Sequence, residues 1–331
     1  MNRMVASALL FIAVFQTIFA QNAASIIPRD TTFSIARVYR QVKKDYPYAR
    51  PVRDSIPAGV KAFRDLVYAT LPETPYGKRD LHVDLFSPEK AGKYPALIMI
   101  HGGGWRAGDK SMEVPMAQAI AAKGFVTVAV EYQLSMEAKY PAAVHNIKAA
   151  VRWLRANSEK YGIDPERLVI CGESAGGQLA MFVGMTPGIE KFEGNMGVTG
   201  YSSAVQAIID IDGVVDFMGP TSLNLDRKPD SPDSFWLGGN FYERPDRWKE
   251  ASSIFWANEK SVPVLFLNSG FSRFHAGQDE LIGMLNEWGI YTEVHKFDVQ
   301  IHPFWLLHPW ADQSADYMVS FLKKVFKVNN L

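Results

Sequence analysis

The stretch Leu168-Val169-Ile170-Cys171-Gly172-Glu173-Ser174-Ala175-Gly176-Gly177 organises the chain. Its first four residues form an apolar run that predicts a strand, and Gln178 to Met185 predicts a helix. Between them lies G-x-S-x-G, which in this context places a serine on a tight strand-to-helix turn with its hydroxyl lifted out of the sheet. The small residues on either side let such a strained turn form. As a pentapeptide alone it is equally a glycine-rich turn between two core elements, so its meaning depends on the rest of the chain.

Further strands are predicted at Asp65–Ala69 and at Leu81–Phe86, where apolar and polar residues alternate. Ala96–Ile100 and Phe125–Val130 are continuous apolar runs, as in strands covered on both faces. Val205–Ile211, Val262–Leu267 and Tyr291–Phe297 complete the set. Helices are expected at Ser111–Lys123, Ala142–Ser158, Ala175–Met185, Asp279–Trp288 and Ala311–Lys327, with a short one near Phe33–Val42. Strands alternating with helices predict a mostly parallel sheet covered on both faces. Asp212 to Ser261 breaks the rhythm with Pro, Gly and aromatic residues and reads as a lid-like insert, or else as packing filler.

Equal numbers of basic and acidic residues, 35 each, give no basic patch for nucleic acid and no acidic tail. Residues 1–20, with Arg3 followed by the uncharged run Met4–Phe19, resemble a secretory signal peptide; an uncleaved membrane anchor is the alternative. The single cysteine, Cys171, excludes an internal disulfide, which fits an exported bacterial, periplasmic or secreted protein. Residues 21–60 read as a proline-bearing arm, and 61–331 as one catalytic domain with the insert at 212–261.

A serine hydroxyl needs a base, an acid that orients the base, and donors for the oxyanion. The donors are the strongest sign. His101-Gly102-Gly103-Gly104-Trp105 directly follows the Ala96 strand, so the N–H groups of Gly103, Gly104 and Ala175 are the expected oxyanion hole. His101 itself reads as structural. Of seven histidines, His302 lies in the loop after the Tyr291 strand, the address of the base. His308 is its alternative, while His82, His145 and His295 sit within elements. The acid is expected after the Val262–Leu267 strand, where the first carboxylate is Asp279; Glu280 and Asp216 are fallbacks. Asp210 and Asp212, on or beside a strand, look less available.

HGGGW, GESAGG and a late histidine together resemble the α/β-hydrolase superfamily on its esterase and lipase side. Glu131–Leu134, Tyr140–Ala143, Val151–Leu154, Tyr161–Pro165 and Gly172–Gly177 are similar to the hormone-sensitive-lipase-like carboxylesterases, over roughly Asp80 to Lys324. Their G-x-x-D acid motif is replaced here by Ser269-Gly270-Phe271-Ser272. The segment Arg273–Asp279, with His302–Trp305 and His308–Trp310, resembles exported esterases of polysaccharide-degrading bacteria, including pectin methyl- and acetylesterases. The resemblance implies two-step acyl transfer by Ser174, His302 and Asp279, with no metal or organic cofactor, on a polysaccharide or oligosaccharide ester. Trp105 and Trp305, with Trp236 and Trp310, are expected to pack on sugar rings, and Arg273 or His275 to meet a uronate carboxylate. A general short-chain carboxylesterase, a related peptidase and a non-catalytic glycan-binding protein are the alternatives.

Overall fold

The run Ala96-Leu97-Ile98-Met99-Ile100 is apolar at every position because it is buried on both sides. Side chains alternate along a strand, so Leu97 and Met99 enter one core while Ala96, Ile98 and Ile100 enter the other. A computed structural model describes residues 27–327. The leader expected over residues 1–20 lies outside the described residues.

Ten strands are present among the described residues: β1 (Arg50–Pro51), β2 (Val60–Leu71), β3 (Arg79–Pro88), β4 (Tyr94–Ile100), β5 (Val126–Val130), β6 (Ile163–Glu173), β7 (Ala207–Ile211), β8 (Val264–Asn268), β9 (Thr292–Lys296) and β10 (Leu307–His308). Eight of them form one sheet in the order β2-β3-β5-β4-β6-β7-β8-β9. The β2–β3 and β3–β5 pairs are antiparallel; the rest run parallel. Each strand of the sheet overlaps one expected from the sequence. The long helices are α1 (Ile35–Val42), α2 (Val114–Ala121), α3 (Ala142–Ala156), α4 (Ala175–Met185), α5 (Gln278–Glu287) and α6 (Trp310–Phe326). Helices α3, α4 and α5 bury their apolar stripes against one face, and α1, α2 and α6 against the other.

In such a sheet, ligands meet the carboxyl ends of the parallel strands. Here the ends of β4, β6, β7 and β8 stand side by side, which brings the His101, Ser174, Asp212 and Ser269 turns together. The segment 212–261 crosses over this end in short helical turns anchored by the buried Trp236 and Trp248. The arm also reaches it. Asp30 donates its N–H to the Arg106 carbonyl at 3.1 Å, and β1 pairs with β10 through Arg50–His308 and Pro51–Leu307.

Candidate active site

Ser174 stands between β6 and α4 with φ +55° and ψ −116°, a conformation that a non-glycine residue adopts only when its surroundings impose it. Its N–H donates to the Ile211 carbonyl at 2.8 Å, tying the turn to the end of β7. The turn can close only because Gly176 lacks a side chain: a Cβ there would sit 1.9 Å from the Ile100 carbonyl oxygen. Gly103 is equally constrained, with φ +115° and only 2.2 Å between a Cβ and the Ala107 oxygen. Gly103, Gly104 and Ala175 line a cavity of about 350 Å³ together with Ser174 and His302.

His302 Nε2 lies 2.7 Å from Ser174 Oγ, so the base sits where the sequence placed it. Behind it the acid is not Asp279. His302 Nδ1 donates to Asp212 Oδ2 at 2.9 Å. Asp279 is exposed in the first turn of α5, as is Glu280 beside it, and neither bonds to His302. Asp216 instead closes the following turn by accepting the Met218 N–H at 2.7 Å. The correction has a simple cause. Asp212 directly follows β7, the strand next to that of Ser174, and its φ of +52° turns its side chain off the sheet rather than along it. An aspartate followed by glycine at the end of an apolar strand was the available signal, since short Asp side chains tolerate that conformation. His308 pairs with Asp312 at 2.8 Å at the start of α6, away from the serine. His101 is structural, stacked on Tyr132 with ring centroids 4.4 Å apart.

Two aspartates on one strand end are driven to opposite states. Asp210 is buried, which pushes its carboxyl well above the usual range, and the Asp212 charge adds to that against one bond from the Gly213 N–H. Burial pushes Asp212 up too, but the contacts of His275, His302 and the Ser269 N–H hold it below the usual value. Asp212 is therefore the anion. Burial lowers the proton affinity of His302; the Arg273 and His275 charges lower it further, and Asp212 opposes them. The imidazole is neutral at pH 7 and free to accept a proton.

The expected substrate-contacting residues divide. Trp105 and Arg273 line the cavity. Trp105 is held by a stack on Trp236, with centroids 4.8 Å apart and planes within 5°, and by its Nε1–H to Gln178 Oε1 at 3.1 Å. Trp305 and His275 do not line it. Trp305 is buried edge-on to His302 and against Phe304, and Trp310 packs on Tyr46 and Tyr48, because both lie where α6 and the arm seal the second core. His275 turns away to Asp212, with Nε2 at 3.4 Å from Oδ1. Three residues that the sequence did not single out matter here. Phe274 stacks on His302 with centroids 3.4 Å apart, and Asp30 and Phe33 of the arm complete the wall.

Beneath the serine turn lies a second acidic pair. Burial raises the Glu173 carboxyl well above its usual range, and the neighbouring Glu113 charge adds to it; burial also raises Glu113, to about 7. A raised folded-state value gives stability that is full below the unfolded value near 4.5 and is lost as pH rises through about 7. Glu113→Gln should leave the melting temperature unchanged at pH 5 and raise it by a few degrees at pH 8. Parallel melting curves for the two proteins across that range would refute the assignment.

Residues 83–282, more than half of the 331-residue chain, match the BD-FAE family. The chain belongs to that family. Probable carboxylic ester hydrolase LipM of Mycobacterium tuberculosis is 32% identical over 164 residues, 48% of this chain and 37% of that protein. Carboxylesterase NlhH of the same species is 36% identical over 106 residues, covering 31% and 33%. The chain thus spans less than half the length of these curated relatives. Among solved structures, a truncated carbohydrate esterase from gut microbiota superposes with a TM-score of 0.68 at 23% identity, covering 84% of this chain and 99% of that one. Esterase Est2 of Thermogutta terrifontis superposes with 0.65 at 21%, covering 83% and 97%. At these identities the likeness establishes the α/β-hydrolase fold.

Proposed function

We propose that this BD-FAE family protein is a serine-dependent carboxylic ester hydrolase of carbohydrate esters, acting on methyl or acetyl groups of a pectin-like polysaccharide. The hydrogen-bonded chain Ser174–His302–Asp212, open to a cavity beside Gly103, Gly104 and Ala175, carries the reading. Ser174 Oγ attacks the ester carbonyl while His302 Nε2 takes its proton. The carbonyl oxygen, now negative, rests on the backbone N–H groups of Gly103, Gly104 and Ala175. His302 then gives the proton to the departing alkoxide, and the acyl group stays on Ser174. A water attacks that acyl-enzyme, His302 takes its proton, and the acid leaves as the serine regains its hydrogen. Asp212 holds His302 with Nδ1 protonated throughout.

Charge in the cavity supports an acidic sugar. Arg227 pairs with Asp233 at 2.6 Å, and Arg106 lies 3.7 Å from Asp30. Arg273 makes no ion pair among the described residues; it lies over Phe274 at 4.3 Å and borders the cavity. A guanidinium left unpaired there suits a free uronate carboxylate beside the ester. Trp105 and Phe217 offer flat apolar walls for sugar C–H faces. Polysaccharide is too large to enter a cell, so this reading also places the protein outside the cytoplasm, consistent with a leader over residues 1–20. The non-catalytic alternative rested on a missing acid, and Asp212 removes that ground.

The test is a mixed methyl- and acetyl-esterified pectin, with released methanol and acetate followed by proton NMR. Turnover of small aryl esters with neither product released from pectin would leave a general short-chain carboxylesterase. Arg273→Ala should raise KM on uronate esters about tenfold, the worth of one charge-assisted contact, and change a neutral aryl ester little. The same substitution removes a positive charge that lowers His302's proton affinity, so the acid limb of kcat/KM should move to higher pH.

A further inference from the structure

We propose that His275 is a positioning residue for the Ser174–His302–Asp212 chain, donating its Nε2–H to Asp212 Oδ1. The inference rests on the esterase reading above. Asp212 offers two oxygens. Oδ2 takes His302 Nδ1–H at 2.9 Å, and Oδ1 takes the Ser269 N–H at 2.7 Å. His275 Nε2 lies 3.4 Å from Oδ1, is closed off from solvent, and has no hydrogen-bond partner. A buried imidazole nitrogen facing a carboxylate oxygen must carry its proton, since a lone pair there would meet the lone pairs of an anion. That sets the tautomer of His275 and makes Asp212 its partner.

The placement is a consequence of where the acid comes from. The Ser272–His275 turn follows β8, where the acid was expected. It carries no carboxylate. It supplies an imidazole to the carboxylate of the preceding strand instead. Three donors from β8's turn and the His302 loop then converge on one buried anion, so the carboxylate plane has a single orientation open to it. Asp212 needs that restraint because its backbone sits at φ +52°, and rotation of the carboxylate would turn His302 off Ser174. The charged groups about His275 are Asp212, His302 through the same carboxylate and Arg273 on its own turn. Asp216 lies on the segment whose N–H groups donate to the Ala276 carbonyl, but its Oδ1 is turned to Met218.

A merely structural histidine and a positioning one differ in their readouts. In the wild-type full chain, ¹⁵N NMR of the imidazoles should show His275 protonated at Nε2 and not at Nδ1 at neutral pH. His275→Ala should lower kcat about tenfold, the size of one hydrogen bond to a charged group, with KM little changed. It should also shift the acid limb of kcat/KM to higher pH, because an Asp212 relieved of a donor holds the His302 proton more tightly. His275→Gln keeps an amide donor at similar reach and should recover most of the rate. A wild-type Nδ1–H tautomer, an alanine variant with kcat and pH profile unchanged, or a loss that glutamine does not restore would each overturn the proposal. The tautomer is read without turnover, so its failure is separate from failure of the esterase reading, which would show as activity independent of Ser174.

Discussion

Ser174→Ala should lower kcat on any ester substrate by about four to six orders of magnitude, the cost of removing the nucleophile from a serine triad. The change deletes one oxygen that faces the cavity and His302, so the fold has little reason to respond. Binding and the backbone donors of Gly103, Gly104 and Ala175 survive it, which leaves a small residual rate over water. Two measurements check it. Steady-state kinetics reads the loss, and intact mass after treatment with an aryl phosphonate reads the adduct, present on the wild type and absent from the variant. Turnover retained within tenfold would end the acyl-transfer mechanism here.

Asp212→Asn should cost about four orders of magnitude in kcat, whereas Asp279→Asn should stay near the wild-type rate. The reason lies in the tautomer. Asp212 as an anion accepts from His302 Nδ1–H, which leaves Nε2 unprotonated and facing Ser174 Oγ at 2.7 Å. An asparagine amide turned the same way offers a donor, so His302 exchanges tautomers and Nε2 can no longer take the serine proton. Asparagine fills the same volume and still accepts the Ser269 N–H, so packing is kept. Alanine is the poorer probe: it would strand that buried N–H and the His275 nitrogen, each costing about 1–3 kcal/mol. The paired comparison discriminates sharply. Loss in Asp279→Asn with activity kept in Asp212→Asn would return the acid to α5.

The nucleophile turn and the glycine loop were legible because each is a matter of local backbone geometry. Gly172, Ser174 and Gly176 lie within five residues, and the contacts that forbid a Cβ at Gly172 and Gly176 come from the same turn and the neighbouring strand end. His302 was legible for another reason, its position after β9 in the chain order of such sites. The acid was not. A residue's availability was judged from its own segment, and Asp212 looked committed to the end of β7. Its φ of +52°, and the partner 90 residues away, arise only when β6, β7 and β8 lie side by side. The same limit applied to the aromatics. Trp105 and Trp305 each follow a glycine- or proline-bearing loop, yet one borders the cavity and the other lies sealed beside Phe304.

What the sequence by itself determined is the set of elements and the two backbone devices. Alternating or unbroken apolar runs set the strands, and glycines at Gly103 and Gly176 permit turns that no other residue allows. Only the tertiary structure decided which carboxylate serves His302, which aromatic residues see the cavity, and that His275 faces Asp212. Those are meetings between strand ends remote in the chain. They depend on strand order and on one backbone torsion, and neither is encoded in the residues that flank the groups concerned.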